Sequence, residues 1–361
     1  MANTTLGAAV IGCGNIANKY GKHIASYDNL TITGAFDLDI DRAKAFAGEF
    51  GGTVYASLED ALADDTVDIV VNLTIHHAHY DVISQCLEAG KHVHTEKPIA
   101  LRYAEASELV ELADRKNLRL SSAPITYMGE TVQTAWKQIR EGKCGEVRLI
   151  YAEINHGKIE AWHPNPEPFY DVGVMFDVGV YPLTNITTMF GPVRRVTCHS
   201  AMLQPERIKK DGSTFTPGKP TYYLAFLELE AGPVVRLSAN FYVAASKQGG
   251  AIEFHGDEGS LVVKDFQSFG AGVEYCALGT PGKKFSEVPL LREPFEGIEF
   301  GRGIQDLADA ILHDRPHRAT GAQAAHVVEV IEAMFKSGDS GLAVEVTSSF
   351  PSPSPMDWAQ G

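Results

Sequence analysis

Residues 6–11, Leu-Gly-Ala-Ala-Val-Ile, run directly into Gly12-Cys13-Gly14-Asn15-Ile16-Ala17, and a helical pattern over 15–27 follows. A strand that feeds a G-x-G-x-x-A turn and then a helix constrains this chain more than any other feature. Gly12 permits the tight turn, Gly14 lets a ligand approach the backbone, and small Ala17 allows the helix to pack closely on the strand. The turn ends at a helix N-terminus, where free N–H groups and the helix dipole favour an anion. The pyrophosphate of a dinucleotide suits that position, with Gly12, Gly14, Asn15, Ile16 and Ala17 around it.

The surrounding pattern agrees. Strand-like segments at 31–36, 68–73, 91–94 and 119–122, with a shorter one near 53–55, alternate with helical segments at 40–50, 57–63, 76–89 and 104–116. Such alternation predicts a doubly wound parallel sheet, an α/β Rossmann domain over residues 1–123. Asp37 falls at the end of the second strand, about 20 residues past the turn, where a carboxylate bonds the adenosine ribose hydroxyls and repels a 2′-phosphate. NAD is therefore expected over NADP. Asp39 suits the N-cap of the helix starting at residue 40. Arg42 nearby is the one group that would help a 2′-phosphate bind.

Past Ala123 the pattern changes. A helix over 131–141 precedes strand-like runs at 147–155, 193–203, 221–229, 234–243, 251–255 and 260–263, several of them separated only by turns. Consecutive strands without intervening helices predict an α+β domain over 124–361 with a large, mostly antiparallel open sheet. Helical patterns return at 303–312 and 322–335, and these C-terminal helices could pack back on the first domain. The Ser/Pro-rich tail over 348–355 is expected to be loosely ordered or to lie across the surface.

Composition excludes several classes. A net charge of −15 over 361 residues argues against nucleic acid as a partner. No apolar run approaches the roughly 20 residues that span a bilayer, and the N-terminus lacks a basic leader, so a cytoplasmic protein is expected. Five scattered cysteines without a C-x-x-C suit a reducing compartment, and thirteen histidines without H-E-x-x-H give no metal signature.

The run Gly90-Lys91-His92-Val93-His94-Thr95-Glu96-Lys97-Pro98, taken with the glycine turn, resembles the glucose–fructose oxidoreductase, inositol dehydrogenase and rhizopine-catabolism (Gfo/Idh/MocA) family. The resemblance extends through Asn72-Leu73-Thr74 with His79, through 176–182, and through Arg315-Pro316-His317-Arg318. It implies an NAD(P)-dependent oxidoreductase acting on a sugar or other polyol, and a homodimer or homotetramer built through the open sheet. Leu73, Thr74, His79, Glu96 and Lys97 would contact the cofactor.

By the same resemblance, Lys97 bonds the reacting oxygen. Asp177 and Tyr181 take the place of the family's D-x-x-x-H pair, with tyrosine where histidine is commoner, as in the glucose–fructose oxidoreductase and dihydrodiol or xylose dehydrogenase branches. A phenol titrates near 10 unperturbed and needs a nearby cation to serve as base, so either Lys97 or Tyr181 carries the proton. The Pro-interrupted loop over 163–171 adds His163, Asn165 and Tyr170 as candidate substrate contacts. Two other readings compete: NAD-dependent glycoside cleavage through transient oxidation, and a nucleotide sensor without chemistry.

Overall fold

The computed structural model describes residues 4–248 and 250–360. The chain divides into two compact units, one running to Ile125 and adding Glu299–Val328, the other comprising Thr126–Ile298 and the chain from Glu329 onward.

In the first unit, β1 (Leu6–Ile11), α1 (Ala17–Ile24), β2 (Leu30–Phe36), α2 (Ile40–Phe50), β3 (Thr53–Val54), α3 (Leu58–Ala63), β4 (Ile69–Asn72), α4 (His79–Glu88), β5 (His92–Thr95), α5 (Tyr103–Arg115) and β6 (Leu120–Ser122) follow one another. The six strands form a parallel sheet in the order β3-β2-β1-β4-β5-β6. Every residue of β1 is buried, as expected of a central strand covered on both faces. The strand order reverses between β1 and β4, which places a crevice at their carboxyl ends. Asp39 caps α2 by accepting the Asp41 N–H at 3.1 Å, and Ser57 caps α3 through the Asp60 N–H. The helical pattern over 76–89 resolves into a 3₁₀ turn at His76–Ala78 and then α4.

In the second unit, α6 (Glu130–Arg140), β7 (Val147–Asn155), α7 (Glu167–Val172), α8 (Val180–Phe190), β8 (Val193–Ala201), β9 (Arg207–Ile208), β10 (Thr214–Phe215), β11 (Tyr222–Leu229), β12 (Val234–Asn240), β13 (Ile252–Gly256), β14 (Gly259–Val263), β15 (Val273–Ala277) and β16 (Ser286–Val288) come in turn. The chain then forms α9 (Arg302–Leu312), α10 (Gly321–Ser340) and β17 (Val344–Glu345). Nine strands make one sheet, ordered β16-β15-β14-β13-β7-β12-β11-β8-β17. All neighbours are antiparallel except β7 and β12, which pair in parallel. Alternation along β11 buries Tyr223, Ala225, Leu227 and Leu229 and turns Phe226 outward.

Two departures from the sequence expectations stand out. Residues 167–172 are helical rather than loop, with a proline in the first turn, where a missing N–H costs nothing. Strands β9, β10, β15, β16 and β17 are short and carry too little alternation to be read from sequence. Helix α9, one of the C-terminal helices that could pack back on the first domain, lies in the core of the first unit through Ile304, Leu307 and Ala308, which pack with Val10, Tyr20 and Val71. The Arg315–Arg318 segment serves that packing, since Arg315 and Arg318 both bind Asp306 of α9 and His317 meets the Leu120 carbonyl.

The tail lies across the second unit. Glu329 accepts the Thr347 and Ser348 N–H groups, the Met356 N–H donates to Gln133 of α6, and Arg140 donates to the Ala359 carbonyl. No helix among the described residues is long and apolar enough to cross a membrane.

Candidate active site

The glycine turn is shaped by packing on one side and open on the other. Gly12 has φ +92°, and a Cβ there would lie 2.8 Å from the Leu73 carbonyl carbon and the Thr74 nitrogen. No side chain fits, because the end of β4 passes directly over it. Gly14 differs: a Cβ would meet no protein atom within 4 Å, so nothing inside the chain demands glycine there. The room it leaves faces a cavity of about 660 Å³ lined by Cys13, Gly14, Asn15, Asn18, Arg42 and Phe46. Ala17 is fully buried in the core. No side chain caps α1, whose N-cap is Ile16, and its first turn holds no acidic residue. An open glycine backbone at an uncapped helix N-terminus fits a pyrophosphate.

Asp37 has a second task. One carboxylate oxygen accepts the Cys13 N–H at 2.7 Å and the other the Asp39 N–H at 2.8 Å, so it fastens the glycine turn to the end of β2. Burial, with the Asp37 charge beside it, pushes the Cys13 thiol up to about 12 and leaves no thiolate there at neutral pH.

The ends of β4 and β5 are tied together by polar side chains. Asn72 is fully buried; its amide donates to the Thr95 hydroxyl at 3.0 Å and its oxygen accepts the Thr74 hydroxyl at 2.7 Å. Leu73 is buried and its N–H donates to the Ile11 carbonyl. Glu96 is held at both oxygens, by the Tyr20 hydroxyl at 2.8 Å and the Lys97 N–H at 3.1 Å. Lys97 is half-buried, and its peptide bond to Pro98 is cis.

His79, expected at the cofactor, is 1% exposed, with Nδ1 2.6 Å from the Pro98 carbonyl and Nε2 3.0 Å from the Thr74 carbonyl. A neutral imidazole donates from one nitrogen only. Burial lowers its pKa, against the two carbonyls and Glu96, which pull the other way. Its ring is engaged by the two loops it spaces, so it supports Thr74 and Lys97 rather than meeting a ligand.

In the second unit, Met175–Gly179 form a π turn that leads into α8. Asp177 lies in this turn and Tyr181 in the first turn of α8, both half-buried. The spacing of four predicted an ordinary helical turn; the wider turn is a form often found at functional sites. One turn further along, Asn185 is fully buried, accepts the Thr126 hydroxyl and donates to the Phe266 carbonyl, both at 3.0 Å. It pins the helix that carries Tyr181. A polar recess of about 210 Å³ beside Val178 is lined by Asn155, His156, Lys264, Asp265 and Gln267.

The 163–171 residues separate. His163 and Asn165 stay together near the surface, His163 Nδ1 lying 3.1 Å from the Asn165 nitrogen that donates to it. Tyr170 does not fit a substrate contact: it is 1% exposed and its hydroxyl donates to Glu160. Arg207 completes that cluster, bonding Glu160 at 3.1 Å, the Tyr170 oxygen at 3.0 Å and the Phe241 carbonyl at 3.1 Å. Burial pushes Glu160 up, but the bonds from Tyr170 and Arg207 outweigh it and hold the carboxyl below its ordinary range. Sequence reading missed Tyr20, Asn185, Glu160 and Arg207, and took Asn72 only as part of the run that carries the family resemblance. Only Asn72, a polar residue closing the apolar run Ile-Val-Val-Asn, left a signal there.

Among the described residues, no group of three or more His, Cys, Asp and Glu is placed to hold a metal ion.

Comparison with known proteins bears on this arrangement. Residues 6–123 match the Gfo/Idh/MocA oxidoreductase family, NAD-binding Rossmann fold, and residues 132–262 match the Gfo/Idh/MocA C-terminal domain. An uncharacterized oxidoreductase of Schizosaccharomyces pombe is 35% identical over 168 residues, 46% of this chain and 44% of that protein. Its match, like that to an oxidoreductase of Rhizobium meliloti, spans about half the relative's length. The trans-1,2-dihydrobenzene-1,2-diol dehydrogenase of Bos taurus is 26% identical over 297 residues, 82% of each chain. Levoglucosan dehydrogenase, solved with NADH and levoglucosan, shares the fold with a TM-score of 0.80 at 18% identity, over 95% of this chain and 99% of that one.

Proposed function

This chain belongs to the Gfo/Idh/MocA oxidoreductase family, and on that premise we propose that it moves a hydride between NAD and a secondary alcohol or ketone of a sugar, glycoside or cyclitol. The observation that carries this reading is the glycine turn: a backbone open at Gly14, at the uncapped start of α1, with the Asp37 carboxylate beside it. Asp37 favours NAD by repelling a 2′-phosphate. Arg42 lines the same cavity, but Asp39 engages it at 3.3 Å.

When bound, the nicotinamide supplies the hydride acceptor or donor. Lys97 binds the reacting oxygen, and Lys97 and Tyr181 are the two residues that carry the proton. Asp177 orients the substrate hydroxyl or the lysine. The polar recess beside Val178 suits further hydroxyls, and His163 and Asn165 are further candidates for them. The bound levoglucosan of one relative and the diol named for another favour a polyol-like substrate. Leu149 and Phe226 remain exposed on the nine-stranded sheet, which supports a homodimer or homotetramer through that face. Five free thiols suit a reducing cytoplasm.

A panel of sugars and cyclitols with NAD⁺ and NADP⁺, followed by absorbance at the NADH band, tests this. We expect reduction of NAD⁺ by at least one polyol, with NADP⁺ slower and the gap narrowed in Asp37→Ser. Faster turnover with NADP⁺ overturns the cofactor assignment; no reduction and no NADH binding overturns the function.

A further inference from the structure

A cavity of about 330 Å³ in the second unit, within the size range of small-molecule sites, is lined from the segment after β7 and from the β9–β10 hairpin. Lys158, Glu160, Gln204, Ile208, Lys209 and Lys210 form its walls. Its acceptors are already engaged. The Glu160 carboxylate is held at both oxygens, Oε1 by the Arg207 guanidinium and Oε2 by the Tyr170 hydroxyl. Gln204 Oε1 accepts from the Lys158 ammonium at 2.9 Å, which leaves the amide NH2 of Gln204 as its donor end. An ammonium carries three donors. Lys158 uses one on Gln204 and lies 4.9 Å over the Tyr242 ring. Lys209 pairs with Glu167 at 2.8 Å, and Asp211 accepts from Ser213 within its own turn. Among the described residues neither Lys158 nor Lys210 has an ion-pair partner. Arg207, between Gln204 and Ile208 along the chain, is fully buried, and its Nη2 has no hydrogen-bond partner.

A ligand that meets only donors must bring the acceptors, and beside lysines it gains by bringing negative charge. We propose that this cavity binds an anionic group, a carboxylate or a phosphate, carried by the sugar, so that the substrate class is an acidic or phosphorylated sugar. The step from site to substrate rests on the function proposed above. His156, two residues before Lys158, lines the polar recess beside Val178, so one short segment has walls in both cavities. That recess has acceptors among its walls, Asp265 and Gln267, and suits neutral hydroxyls; the lysine-lined cavity does not. The chain as a whole carries a net charge of −15, so an anion needs cations gathered locally against that background. Three lysines on two neighbouring segments supply them. The buried Arg207–Glu160–Tyr170 cluster has a use here as well. Arg207 opens β9, and its bonds to Glu160 and Tyr170 tie the hairpin that carries Lys209 and Lys210 to the segment that carries Lys158.

Calorimetric titration of the full chain with glucose, glucuronate, glucose 6-phosphate and inorganic phosphate, with and without NADH, tests the assignment. One of the two anionic sugars should bind at least about tenfold more tightly than glucose, the scale of one hydrogen bond to a charged group. The tighter of the two identifies the group as carboxylate or phosphate. Raising the salt from about 0.05 to about 0.5 M should shrink the difference. Lys158→Met and Lys210→Gln should each shrink it by about threefold or more, and the double variant should remove it with the melting temperature held. Lys44→Gln, on the surface of the first unit, should leave it unchanged. Anionic sugars that bind no better than glucose overturn the proposal, as does a preference that survives in the double variant. Inorganic phosphate that binds as tightly as the sugar phosphate makes this a site for a free ion and also overturns it. Failure of the proposed function shows separately: if no alcohol reduces NAD⁺, the lysine-dependent preference for an anionic sugar still stands or falls on the titrations.

Discussion

The two units carry their candidate residues in different ways. In the first, Gly12, Gly14, Asp37, Thr74 and Lys97 all sit at or just past the carboxyl ends of adjacent parallel strands, where sequence order and spatial order nearly coincide. In the second, Tyr170 is placed by Arg207, 37 positions away, and the α8 helix by Thr126 and Phe266, 59 and 81 positions from Asn185. A motif reads well where a parallel sheet gathers its loops at one edge. It reads poorly where a polar side chain is claimed by a distant partner.

The largest effect should come from the residues assigned to proton transfer. Lys97→Met and Tyr181→Phe should each lower turnover by on the order of 10²–10⁴. Because they act as one unit, the double variant should be barely worse than the poorer single. NADH affinity should survive in Tyr181→Phe. Near-normal turnover of Tyr181→Phe would make that ring a packing residue and leave Lys97 to act alone.

Next comes the buried pair that distinguishes the second unit. Arg207→Met leaves Glu160 without its cation in a site where both side chains are nearly inaccessible. Removing one partner of a buried pair costs about 3–5 kcal/mol. Denaturant unfolding should show that loss, with NADH binding at the first unit retained. A change below about 1 kcal/mol would mean that Glu160 finds another partner or solvent.

Gly14→Val separates binding from folding in the first unit. The new side chain meets no protein atom near its Cβ, so the melting temperature should hold while NADH affinity drops at least about tenfold. Wild-type affinity by fluorescence titration would place the pyrophosphate elsewhere.

The smallest effect is a difference in acid sensitivity. Burial lowers the pKa of His23, His79, His92, His94 and His317 in the first unit, and of His255 in the second. A histidine held neutral in the folded state takes up its proton on unfolding once pH falls below about 6.5, so stability is lost as pH falls. The slope is about 1.4 kcal/mol per pH unit for each proton. Hydrogen exchange between pH 7 and 5 should show the first unit loosening earlier, and His94→Gln should reduce that slope by about one proton. Earlier loosening of the second unit would reverse the comparison.

The alternation of strands and helices in the first unit, the glycine turn, the cap at Asp39 and the change to consecutive strands after Ala123 are all legible in the sequence. Each is a local property: periodicity, turn chemistry or a side chain bonding its own neighbourhood. Which polar residues are claimed by distant parts of the chain is set by tertiary packing. Tyr170 and His79 look reactive in sequence and are engaged by their surroundings, while Tyr20 looks like an ordinary core aromatic and reaches Glu96. The Arg315–Arg318 segment likewise closes on Asp306 rather than on a site. The reason is that a buried donor or acceptor must find a partner, and that partner is set by the fold, not by its distance along the chain.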